Sequence, residues 1–348
     1  VIRIVLAGAG HAHAVVLASL ARKPLYGATV TLVSPRAREL YSAMLPGVIA
    51  GHYSVEEASI DVAGLAERAY AEFVEDSIVS LSAASKVLTL KSGKKLPYDL
   101  LSLNVGSRVD DSAPGSAQHA VPVKPFENLL DLKASHIAVA GGGAAGVELA
   151  MALRYRGAEV TVYSEHGAFA GSAARRVARA LRRMRVDFRP GMRADRIEPG
   201  PVVVSGSARQ AFDLVLLASG AAPLPFLTGS ALALDERGFV RVDEALRSVS
   251  HPDVFAVGDC AAAGEAKSGV HSVRQGAVLA DNLRCAVGGA RQMPYRPRRK
   301  ALLILTCGRR YAIAMRDDWS VGGRWVWWWK RWIDRRWLEN LNAPQRRS

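Results

Sequence analysis

Two glycine-rich loops, about 130 residues apart, constrain this chain more than any other feature. Each lies between a short β-branched run and an apolar, helix-like stretch. The first, Gly8-Ala9-Gly10-His11-Ala12-His13, follows a strand-like run at 1–7 and precedes 14–20, with a second buried strand at 28–33. Glycines at such a turn let backbone amides approach a pyrophosphate, and the N-terminus of the next helix offsets its charge. The third glycine of the usual pattern is His13 here, so helix and strand are expected to pack further apart. The acid expected at the end of the second strand is absent, and Ser34 stands near that place. The second loop, Gly141-Gly142-Gly143-Ala144-Ala145-Gly146, follows a strand at 135–140 and opens a helix at 147–156. The next strand, 159–163, ends at Ser164-Glu165. Gly141, Gly143 and Gly146 stand at the full fingerprint spacing, and Glu165 is placed to accept the ribose hydroxyls of NADH. No arginine immediately follows to hold the extra phosphate of NADPH, so NADH is expected rather than NADPH.

The chain is long enough for about two domains, and its 49% hydrophobic content excludes a disordered or collagen-like chain. Three cysteines without regular spacing exclude a disulfide framework and a zinc ribbon, and fit a reducing compartment. The histidines, His11, His13, His52 and His271 among them, lack metal-ligand spacing, and no metal is assigned. The run 137–153 is apolar apart from Glu148, but three central glycines and its shortness argue for strand, turn and helix rather than a membrane span. The opening residues lack the basic region of a secretory signal, which points to a cytoplasmic location.

A third segment, Val254-Phe255-Ala256-Val257-Gly258-Asp259, is a short buried strand ending in Gly-Asp. It resembles the second flavin motif of flavoproteins with two dinucleotide-binding domains, in which the aspartate bonds the ribityl chain of FAD. The connectors 100–106 (LLSLNVG) and 214–220 (LVLLASG) end in Gly106 and Gly220, where such a chain passes between its nucleotide domains. The fold expected is therefore α/β, with two Rossmann-like domains and a small C-terminal region. FAD would occupy 1–124 with 236–292, NAD(P)H would occupy 125–235, and a strand with an amphipathic helix would fill 293–348.

Disulfide reductases of this family need a Cys pair beside the flavin, and residues 1–259 contain no cysteine, which excludes that activity. The loop from Tyr41 to Ser54 (YSAMLPGVIAGHYS) looks like that of type II NADH dehydrogenases, which reduce quinone without a metal or a proton pump. The segments 141–150 (GGGAAGVELA), 274–283 and 308–314 (GRRYAIA) match as well. The resemblance is closer to a branch sometimes fused ahead of selenide, water dikinase, through the GHAH loop, the Tyr41 loop and 123–130 (VKPFENLL). Sulfide:quinone oxidoreductases are near relatives, but one of the two cysteines they need is missing, and Cys307 and Cys285 read as small core residues.

The resemblance implies that Gly8, Gly10, His11, Ser34, Gly106, Gly258 and Asp259 hold FAD, with Gly141, Gly143, Gly146, Glu165 and Gly220 on the NADH side. Hydride transfer needs stacked rings more than acid–base groups. Glu148, on the first turn after the second loop, would place a carboxylate near the nicotinamide. Pro46 would shape the ring pocket, Gln275 would reach the flavin pyrimidine edge or the quinone, and Lys124 at the crossover would contact flavin.

Net charge is +14, and it is localised. Residues 175–196 carry nine Arg against two Asp, and 291–348 carry fifteen basic against four acidic groups. All seven Trp lie in 319–337. Over 324–338, helical periodicity gathers Trp325, Trp328, Trp329, Trp332, Ile333 and Trp337 on one side and Arg324, Arg331 and Arg335 largely on another. Such a helix suits an anionic membrane surface, here the inner face, where a lipid-soluble quinone is found. It suits equally the packing of several Trp on the flavin domain. The alternatives are a reductase of a ferredoxin-like carrier and a non-catalytic redox sensor on nucleic acid, the latter disfavoured. The sequence leaves a homodimer open.

Overall fold

In the computed structural model, residues 1–297 and 301–342 are described; of the region expected over 293–348, positions 298–300 and 343–348 lie outside the described residues. The first unit is β1 (Ile2–Ala7), α1 (His11–Arg22) and β2 (Ala28–Ser34). The last four residues of β1 are all buried, as in a parallel strand covered on both faces. It belongs to a five-stranded parallel sheet in the order Val254–Ala256, Leu100–Leu103, β1, β2, Glu72–Glu75. The strand from 254–256 arrives from far along the chain and sets the Gly258-Asp259 turn at the same sheet edge as the first glycine loop.

The second loop joins β3 (His136–Ala140) to α2 (Ala144–Tyr155), followed by β4 (Glu159–Ser164) and α3 (Gly171–Met184). A second parallel sheet runs Val121–Pro122, Leu214–Leu217, β3, β4, Asp187–Pro190. The two crossovers run side by side: Arg108–Val109 pairs antiparallel with Ala221–Ala222, just past Gly106 and Gly220. The helix α4 (Gly269–Gly288) packs on α1. No helix among the described residues is long and apolar enough to cross a membrane.

The C-terminal part is an antiparallel sheet of Leu303–Cys307, Arg309–Arg316 and Trp319–Gly323, covered by α5 (Arg324–Asn342). Here the structure differs from hydropathy. The face of α5 turned inward carries Val326, Trp327, Lys330, Asp334, Leu338 and Leu341, whereas Trp325, Trp328 and Trp332 are 57%, 47% and 59% exposed. Trp329, Ile333 and Trp337 are half-buried at the flanks. A charged pair therefore lies beneath the helix and three tryptophans lie on its outside. The pair is satisfied locally: Lys330 Nζ lies 2.6 Å from Asp334 Oδ2, one helical turn away, and donates to the Ala43 carbonyl at 2.8 Å.

Removing one partner of a buried pair typically costs about 3–5 kcal/mol, because the other charge is left uncompensated. Lys330→Met should therefore lower the urea midpoint strongly, and the double variant Lys330→Met/Asp334→Leu should recover most of the loss.

Candidate active site

The first loop lies flat against the end of the strand 100–103. Gly8 has φ +87°, and a Cβ there would stand 2.6 Å from the Asn104 carbonyl oxygen. Asn104, which the motif reading passed over, ties three segments together: its Oδ1 accepts the His13 amide at 3.1 Å and its Nδ2 donates to the Val257 carbonyl at 3.1 Å. His13 occupies the place of the third glycine with its ring bonded at both ends, Nδ1 to the Gly8 carbonyl at 2.5 Å and Nε2 to Ser102 Oγ at 2.8 Å. Burial pushes its pKa down to about 4, which keeps the ring neutral. In the second loop Gly146 has no such latitude, since a Cβ there would run into the Gly141 carbonyl oxygen.

At the end of β2, Ser34 Oγ donates to Glu39 Oε1 at 2.9 Å. A carboxyl therefore stands near the position where the sequence showed none, supplied five residues later. Burial raises its pKa, against the bond from Ser34 and the nearby Arg36. Only the folded chain reveals this, because no motif spacing covers a carboxyl returned by a separate short strand.

Asp259 meets Lys124 Nζ at 2.9 Å and Ser107 Oγ at 3.3 Å, and Lys124 also reaches Ser107 at 3.1 Å. Burial pushes the Asp259 pKa up, but the Lys124 ammonium and these bonds outweigh it, and the carboxylate stays below its ordinary range. Gln275 braces the turn from behind: its Oε1 accepts the Gly258 amide at 2.6 Å and its Nε2 donates to Glu265 Oε1 at 2.7 Å. Both ends of that amide are thus engaged within the protein.

His11 opens α1 and packs with two aromatic rings, Tyr41 at 5.2 Å and Trp337 of α5 at 5.6 Å, which lie 4.6 Å from each other. Its Nε2 is buried without a hydrogen-bond partner. Burial lowers its pKa to about 4, with Asp259 and Lys124 acting on it in opposite senses. An unpartnered ring nitrogen beside a glycine cradle and an Asp–Lys pair fits an FAD pyrophosphate and ribityl chain, and the residues present match that group.

Glu148 lies in the first turns of α2, half-buried. Its Oε1 takes the Thr306 amide at 2.6 Å and the Thr306 hydroxyl at 2.8 Å. Burial raises its pKa, and Lys330 together with the two Thr306 bonds pulls it back down. The helix α5 reaches the same region, with Tyr41 Oη donating to Asp334 Oδ1 at 3.4 Å. Pro46 is buried in the first turn of the short helix Leu45–Ile49, and His52 beyond it bonds the Gly308 carbonyl at 2.8 Å. The structure therefore brings Glu148, the Tyr41 loop, the strand at Thr306 and Lys330–Asp334 together. Glu165 is exposed at the end of β4, and Ser164 Oγ donates to the His166 carbonyl at 2.6 Å. The sequence reading missed Thr306, Lys330 and Asp334; the only signal was the i,i+4 spacing of the last two.

The family model for pyridine nucleotide-disulphide oxidoreductases matches residues 2–276. An NADH dehydrogenase-like protein of Mycobacterium tuberculosis is 30% identical over 220 residues, which is 55% of this chain and 55% of that protein, so the match spans about half of the relative's length. Ferroptosis suppressor protein 1 of Xenopus laevis is 27% identical over 72% of this chain and 73% of its own. The sulfide:quinone oxidoreductase of Aquifex aeolicus superposes with a TM-score of 0.82 at 19% identity, covering 99% of this chain and 93% of that one, a likeness of fold. The chain belongs to the pyridine nucleotide-disulphide oxidoreductase family.

Proposed function

We propose that the chain is an FAD-dependent dehydrogenase that takes a hydride from NADH and passes the electrons to a quinone at an anionic membrane surface. The observation that carries this reading is the placement of Glu148. A half-buried carboxyl follows the nicotinamide-side glycine loop and is held by Thr306, and the helix approaching it from the C-terminal part shows tryptophan on its other side. The two parallel sheets support the division into 1–124 with 236–292 for FAD and 125–235 for NAD(P)H. The names of the relatives, among them a sulfide:quinone oxidoreductase, support quinone as acceptor. Cys260, Cys285 and Cys307 are all free, and Cys260 and Cys307 are buried.

FAD, when bound, supplies a centre that accepts two electrons together and can release them singly. Gly8, Gly10, Asp259 and Lys124 would hold it, with His11 beside the glycine loop on the pyrophosphate side and Ser34 with Glu39 toward the ribose. Gly141, Gly143, Gly146 and the N-terminus of α2 receive the NADH pyrophosphate, and Glu165 its ribose. Pro46 and the Tyr41 loop wall the ring pocket against water. Quinone, NADH and one proton give hydroquinone and NAD⁺, so one proton beyond the hydride is required. Glu148 is suited to hold it: Oε1 is committed to Thr306, which leaves Oε2 for the proton, and burial keeps that proton on to higher pH than on a surface glutamate.

On the outside of α5, Arg336 lies over Trp332 at 5.6 Å and Arg331 over Trp328 at 5.3 Å. Exposed indoles with paired cations suit the headgroup region of a bilayer, the peripheral, inner-face location expected of an enzyme whose acceptor is dissolved in lipid.

Anaerobic titration should reduce the bound flavin with NADH faster than with NADPH, and a short-chain quinone should reoxidise it; a flavin that NADH does not reduce refutes the reading. Turnover should fall as pH rises through the raised Glu148 pKa, since the acid form is then lost. Glu148→Gln should lower kcat by about a hundredfold and abolish that alkaline limb, as read from steady-state pH profiles.

A further inference from the structure

The basic block at 175–196 has no part in the chemistry above. Its helix, α3, buries Ala173, Val177, Ala180 and Leu181. The opposite face is a single stripe of Arg175, Arg176, Arg179, Arg182 and Arg183, all exposed. None of these guanidinium groups is in an ion pair among the described residues, although other surface cations of the chain pair readily, such as Arg189 with Asp187 and Arg247 with Asp243. Like charges at i,i+4 on one face are mutually unfavourable, so the stripe is complementary to an extended anionic partner.

Its neighbours indicate which partner. The start of α3 is tied to the last strand of the C-terminal sheet: Ser172 Oγ donates to the Asp318 carbonyl at 2.6 Å, and Arg176 Nε donates to Ser320 Oγ at 3.1 Å. Trp319, beside Ser320, is 54% exposed. With Leu302, Arg316, Asp317, Asp318 and Trp329 it lines an open hollow of about 620 Å³. Trp329 in turn stacks on Trp325 at 6.4 Å, and Trp325 belongs to the outer face of α5. Aromatic surface therefore continues from beside the arginines of α3, through Trp319 and past Arg316 with the two aspartates of its turn, to the exposed tryptophans.

We infer that the arginine stripe of α3 is a second contact of this chain with an anionic bilayer, joined to the tryptophan face of α5 through the Trp319 corner. The inference rests on the membrane reading above and adds the phospholipid phosphates as ligands of α3. Arginines spread over two helical turns meet headgroup phosphates, while indoles at the corner enter the interface. An acidic protein or a duplex nucleic acid would use the arginines and leave the adjoining tryptophans without a role.

The test is co-sedimentation of the FAD-loaded full chain with phosphatidylcholine vesicles, with and without phosphatidylglycerol. Three proteins are compared: wild type, Arg175→Gln/Arg179→Gln/Arg182→Gln/Arg183→Gln, and Trp325→Ser/Trp328→Ser/Trp332→Ser. Arg176 is spared because it bonds Ser320. The arginine variant should lose at least about tenfold in affinity for the anionic vesicles, with a flatter salt dependence, while keeping its flavin absorbance and melting temperature. The tryptophan variant should weaken on both vesicle types. An arginine variant that binds anionic vesicles like wild type overturns the inference and leaves the α5 anchor standing. The same is true of one that loses only affinity for duplex DNA at physiological salt. Wild type that binds neither vesicle overturns the membrane reading itself.

Discussion

The ion pair between Lys330 and Asp334 is the contact on which the C-terminal half of the site depends. It lies under α5, where a bundle of apolar side chains would be expected, and it fastens that helix to the Tyr41 loop through the Ala43 carbonyl and the Tyr41 hydroxyl. A purely apolar seam would hold the helix as well, but without fixing its rotation. A bonded pair at one turn's spacing sets which residues face inward, and so places Trp337 on His11 and turns Trp325, Trp328 and Trp332 outward. The buried charge also acts on the chemistry, since Lys330 is the strongest counterweight to the burial of Glu148.

The nucleotide half rests on a different constraint, the close approach of backbone at the two glycine loops. One loop keeps its third glycine because there is no room beside the Gly141 carbonyl. The other replaces it with a histidine whose ring makes the missing contacts itself, to Gly8 and Ser102. The same kind of substitution occurs at the ribose end, where Ser34 stands in the acid's place and borrows the carboxyl of Glu39. Both departures from the fingerprint are answered by nearby side chains.

The central strands of both sheets, both loops, the Gly-Asp turn and the crossovers were legible in the sequence, because strand, glycine turn and helix leave a local record at fixed spacing; the edge strands Glu72–Glu75, Val121–Pro122 and Asp187–Pro190 were not. Gln275 was legible as a polar residue near the flavin motif. Its engagement with Gly258 and Glu265 was not, because that depends on how α4 returns to the sheet. The inward face of α5 was not legible for a related reason: hydropathy places Lys330 and Asp334 in water, and only their mutual bond and the Ala43 carbonyl make burial tolerable. Asn104, Glu39 and Thr306 share that character, being polar groups whose partners lie far away in sequence.

The central claim is that one helix closes the site on its inner side and meets lipid on its outer side. The most direct measurement compares NADH-driven reduction of a long-chain quinone confined to anionic vesicles with reduction of a short-chain quinone in solution. Wild type is compared with the variant in which Trp325, Trp328 and Trp332 are replaced by serine. The account predicts that the variant loses most of its activity on the bilayer quinone and keeps that on the soluble one. Equal activity of the two proteins on the bilayer quinone would contradict it.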